Sequence, residues 1–129
     1  MKQFLQSFLL FLSTGLFLLM FSHCEGTGTP NVSFSGDIMP IFSTKCITCH
    51  QGEGANGNLD LSNYETLMSG NSNSGENLVV PGFAEQSLLY KSVDEDVTSI
   101  PRMPQGGPYL FDSQIQMIED WINEGAKNN

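Results

Sequence analysis

The chain has little positive charge and almost no imidazole. Five Lys and Arg residues stand against 14 Asp and Glu in 129 residues, and there are two histidines. An acidic surface repels phosphate backbones, which argues against nucleic acid as a partner. The two imidazoles are His23 and His50, and His23 falls in an N-terminal apolar segment. One imidazole is therefore left for the folded part, too few for a histidine acid–base pair. The carboxylates are scattered rather than paired, so no constellation for catalysis stands out and no enzymatic activity is expected. Alternating apolar and polar runs are also lacking, which removes the usual sign of a sheet.

The first 23 residues read as an export signal. Lys2 supplies a positive start, and residues 8–21 are an almost unbroken apolar run. Polarity changes sharply at Ser22-His23-Cys24. A cysteine directly after such a run resembles the lipidated residue of a bacterial lipoprotein, so Cys24 is the expected lipidation site. His23 and Phe21 depart from the small residue and Leu usual in that motif. The rival reading is an uncleaved leader, since residues 4–21 reach the short limit for crossing a bilayer. Either way the domain is expected outside the cytoplasm, on the periplasmic or cell-surface side, held at a membrane. Residues 24–35, rich in Gly, Thr, Pro and Ser, read as a flexible tether, which leaves residues 36–127 for one small domain.

The most informative string in that domain is Cys46-Ile47-Thr48-Cys49-His50. C-x-x-C-H reads as an attachment site for a c-type haem. Two thiols this close can each add to a vinyl group of one porphyrin, and the adjacent imidazole takes an axial position on the iron. The same cysteines have other readings. A redox dithiol expects a thioredoxin-like βαβ pattern, which is missing here. Zinc needs a fourth ligand, and with Cys24 assigned to lipidation that ligand would have to be a carboxylate. A structural disulfide would close too short a loop to gain much stability.

Four helices are expected around this string. Asp37 can cap the first, with Pro40 in its opening turn and Ile38, Ile41 and Phe42 on its apolar face. Gly52, Gly54, Gly57 and Asn58 then stop it. A second short helix is expected over residues 62–69, and a third over 85–93. Ser113 and Gln116 are spaced as a capping box for the last helix, with Leu110 or Phe111 as its staple. Ile115, Ile118 and Ile122 line one face of that helix, Met117 and Trp121 lie beside them, and Gly125 ends it. Residues 69–77 are a polar, low-complexity loop. The fold expected is all-α, with three to four helices packed around one covalently bound haem, which would supply much of a thin core.

With His50 on one side of the iron, the sixth position is Met, Lys, a small ligand or empty. Of the methionines beyond the leader, Met39 shares the helix that carries the cysteines. Met117 sits where packing already explains it, and Met68 is possible, although its helix offers it a plain core role. Met103 differs, because it lies in Ile100-Pro101-Arg102-Met103-Pro104. Flanking prolines hold that backbone outside any helix, and a rigid extended loop can present a thioether at small entropic cost. Met103 is the expected ligand. Arg102, the only arginine, would suit a haem propionate.

These residues resemble the class I, single-haem cytochrome c domain, especially its short planctomycete-type version. The matching pieces are Ile38, Pro40, Ile41 and Phe42 ahead of Cys46-x-x-Cys49-His50, then Gly57-Asn58-Leu59, Val80-Pro81-Gly82, Ser87-Leu88-Leu89, Arg102-Met103-Pro104 and Trp121-Ile122 with Gly125-Ala126. The resemblance runs over about residues 34–127. It implies thioether links at Cys46 and Cys49, His50 and Met103 as axial ligands, and first and last helices packed together. The function so implied is electron transfer between redox partner proteins by a tethered carrier with one covalent haem c. A basic partner would meet a favourable field, although acidity also serves simply to keep an exported protein soluble. Two alternatives stand. One is a small-ligand-binding or peroxidase-like haem protein with a labile sixth ligand, and the other is an accessory haem subunit of a larger oxidoreductase.

Overall fold

The computed structural model describes residues 31–70, 73 and 75–129. The expected signal segment and Cys24 lie outside the described residues. Among those described there are four α-helices and no β-strand, as an all-α fold requires. They are α1 (Met39–Lys45), α2 (Tyr64–Ser69), α3 (Leu88–Val93) and α4 (Asp112–Asn123). No described helix is long and apolar enough to cross a membrane.

The fold starts earlier than the composition suggests. A wide π-type turn over Phe34–Ile38 leads straight into α1. Ser33 caps it: its hydroxyl accepts from the Gly36 N–H, and Asp37 accepts from the Ser33 N–H at 2.8 Å. The capping residue is thus Ser33 rather than Asp37. Residues 24–35 were expected to be a tether, yet the described end of that stretch is core. Val32 and Phe34 are buried, because Phe34 lies against Trp121 (centroids 5.5 Å apart) and edge-on to Tyr64 (5.2 Å). Two apolar side chains among small polar ones are enough to anchor the strand of chain that carries them.

The last helix closes over this turn. Its apolar face buries Ile118, Trp121 and Ile122 against Ile38, Phe42 and Leu67, all six nearly or fully inaccessible. The helix begins one residue before Ser113, and its cap is Gln114, whose side chain accepts from the Phe111 N–H. Gln116 instead reaches Glu119 and Asp120. Gly125, at φ +101°, ends the helix as expected. The Ala126 N–H reaches the Trp121 carbonyl and the Gly125 N–H the Ile122 carbonyl, a Schellman closure. The first and last elements therefore meet, chiefly through Phe34 in the turn ahead of α1.

Ser87 accounts for the shorter third helix. Its side chain is fully buried, accepts from the Val80 N–H at 2.8 Å and donates to the Phe83 carbonyl at 3.0 Å. These bonds hold Ser87 extended, so a tight turn over Ala84–Gln86 and α3 stay separate. The same bonds pin residues 78–80 beside α3, which becomes one wall of the site.

Candidate haem site

Lys45 ends α1, and the next residues coil rather than extend. The Cys46 N–H bonds the Phe42 carbonyl, and the Cys49 and His50 N–H groups both bond the Cys46 carbonyl at 3.0 Å. This keeps the two thiols and the imidazole within one compact turn. The following loop folds back under it. Gly57 takes φ +69°, the Asn56 N–H reaches the Cys49 carbonyl, and the Leu61 N–H reaches the His50 carbonyl.

That fold-back orients the imidazole. His50 Nδ1 lies 2.9 Å from the Asn56 main-chain oxygen. A carbonyl oxygen only accepts, so Nδ1 is the donor in this contact and Nε2 is the ring nitrogen left for another partner. A second partner that fixes the ring in this way is typical of metal-ligating histidines.

Two adjoining cavities, of about 590 and 550 Å³, open beside this turn. Cys46, His50, Gly57, Leu59, Val93 and Met103 line both. Cys49 also faces the smaller one, so all four residues expected at the site meet there. The larger cavity is walled mostly by aliphatic side chains of α3 and of residues 59–61 and 78. Met103 reaches the site from the loop between α3 and α4, anchored by its N–H to the Ser92 carbonyl at 2.7 Å. Pro101 faces one cavity and Pro104 the other, so the loop straddles both. Met39, Met68 and Met117 pack against the core and line neither.

The two cysteines differ in setting. Cys49 is exposed and Cys46 is half-buried, and both are free thiols. Burial, and secondarily the neighbouring Cys49, pushes the Cys46 thiol up to about 11, against a smaller opposing pull from Lys45. Among the described residues no group of three or more His, Cys, Asp and Glu side chains comes together to hold a metal ion, so tetrahedral zinc lacks its ligand set.

Arg102 lines neither cavity. Its guanidinium lies 4.4 Å over the Tyr109 ring and 3.4 Å from Glu95. The arginine next to Met103 is therefore engaged away from the site, where its sequence position suggested a propionate partner.

Residues 46–106 match the family model for Planctomycete cytochrome C. Over that stretch the chain is similar to a cytochrome c domain. The matched stretch contains Cys46, Cys49, His50 and Met103, and this family implies covalently bound haem c. No curated protein and no solved structure matches the chain. The residues of the matched stretch fit the group the family implies. Two free thiols three positions apart, an imidazole oriented through Nδ1, a thioether and an apolar volume of several hundred cubic ångströms all converge.

Two of these contributions carry no signal in the sequence. The Asn56 carbonyl is a main-chain group, hinted at only by the glycine after it. Val93 and Leu110 look like ordinary core residues, and only the folded chain brings them to the cavity walls.

Proposed function

We propose that this cytochrome domain is an electron carrier holding one haem c, with His50 and Met103 as axial ligands and thioether links at Cys46 and Cys49. The observation that carries the proposal is the convergence of these four residues on one cavity, with His50 already oriented by Asn56. When bound, the haem supplies one-electron chemistry at its iron. The protein supplies the rest. Cys46 and Cys49 anchor the group covalently, so it survives repeated exchange without loss. Asn56 holds the His50 ring in one tautomer and one direction. The proline-flanked loop holds Met103 in place, and a thioether donor favours the reduced state more than a second imidazole would. The aliphatic walls exclude water and keep the local dielectric low.

With His50 and Met103 both holding the iron, no open position would remain for a substrate, and the chain would act as a carrier rather than an enzyme. The leader-like first 23 residues support export, and Cys24 or the leader itself supports a tether at the membrane. In that setting the carrier exchanges electrons with other redox proteins.

Visible spectra of protein from a host with c-type haem maturation test this, oxidised and reduced, with and without carbon monoxide. A low-spin spectrum indifferent to carbon monoxide is expected. Ready carbon monoxide binding would move the assignment to a small-ligand-binding or peroxidase-like protein.

A further inference from the structure

The wall of the larger cavity contains a single carboxylate among the described residues, that of Glu76. It belongs to the stretch between α2 and α3. Lys91 of α3 holds it, with Nζ 2.7 Å from Oε1. Residues on the same helix, Leu88, Leu89 and Ser92, face the cavity, whereas Lys91 does not line it. Glu76 therefore lines the cavity, and its ammonium partner Lys91 does not.

An ion pair of this exposure, 24% for Lys91 and 44% for Glu76, contributes little to stability. Its field on the cavity is another matter. The intervening medium is largely apolar, and a charge at such a wall acts with less screening than one in water. On the electron-carrier reading, one electron enters the site from a redox protein and no bond forms or breaks. The added negative charge is opposed by Glu76 and favoured by Lys91.

We infer that the Glu76–Lys91 pair tunes the redox potential of the site, with Glu76, the member of the pair that lines the cavity, favouring the oxidised state and Lys91 offsetting it. The inference rests on the electron-carrier reading and adds two positioning residues to it.

Equilibrium redox titration of the full-length holoprotein tests this with Glu76→Gln, Lys91→Gln and, as a control of equal charge change, Glu65→Gln. Glu65 is exposed on α2 and lines neither cavity. At a fixed solution potential, Glu76→Gln is expected to raise the reduced-to-oxidised ratio by about threefold to tenfold, or about 30–60 mV for one electron. Lys91→Gln is expected to lower it by a smaller factor, and Glu65→Gln to change it less than about twofold. Visible spectra should be the same in all four proteins, showing ligation intact. Equal shifts from Glu76→Gln and Glu65→Gln, or a Lys91→Gln shift toward the reduced form, would overturn the inference and leave the carrier reading standing. A wild-type protein with no reversible one-electron transition would instead overturn the carrier reading itself.

Discussion

The Nδ1 atom of His50 lies 2.9 Å from the main-chain oxygen of Asn56, six residues further along the chain. The contact exists because Gly57 turns at φ +69°, a backbone shape that side chains disfavour. The direction of the proposed ligand thus depends on a residue that never touches it.

Gly57→Ala isolates that dependence. An added Cβ would meet no protein atom closer than 3.7 Å, so within the protein itself the cost is backbone strain. Urea unfolding of the holoprotein should show a loss of about 1–2 kcal/mol. The haem should stay attached, and the potential should rise, because His50 loses the partner that makes it a more basic ligand. Unchanged stability and potential would mean that the turn does not hold the ring.

Phe34 makes a second prediction, about where the domain begins. Phe34→Ala should cost about 3–5 kcal/mol by urea or thermal unfolding, as expected for a buried aromatic. A chain starting at residue 36 should be destabilised at least as much as that variant. A chain starting at residue 31 should match the full domain. Equal stability for the two truncated chains would restore the tether boundary at residue 35.

Such differences show what the sequence can carry. That Cys46, Cys49, His50 and Met103 meet at one cavity was legible because the C-x-x-C-H string is contiguous and because prolines flank the methionine. The ends of α1 and α4 were read a few residues off. Several neighbouring side chains can cap either helix, and packing at Phe34 and the Gln114 rotamer decide between them. Glu76 was not legible, since it sits among polar residues and only the fold sets it against the aliphatic wall. The role of Asn56 was least legible of all, because a main-chain carbonyl is common to every residue.

Alkaline stability supplies a third prediction. Burial, with the carboxylates of Glu119, Asp94 and Glu85 around it, pushes the Tyr90 phenol up to about 12. The unfolded chain loses that proton near pH 10. Between these values the folded state holds one more proton than the unfolded state, so stability falls as pH rises. The contribution is complete below about pH 10 and lost as pH passes about 12. Tyr90→Phe should flatten the decline of stability over that window, as read by urea unfolding at successive pH values. An equally steep decline in the variant would place the alkaline sensitivity elsewhere.

On the proposed ligation Met103 and His50 hold the iron from opposite sides, and the near-infrared spectrum of the oxidised holoprotein tests this. The wild-type protein should show the sulfur–iron charge-transfer band. Met103→Ala should keep the haem covalently attached, lose the band and bind carbon monoxide when reduced. Met68→Ala should keep the band, since Met68 lines neither cavity. A band that survives in Met103→Ala, or is absent from the wild type, would contradict the assignment.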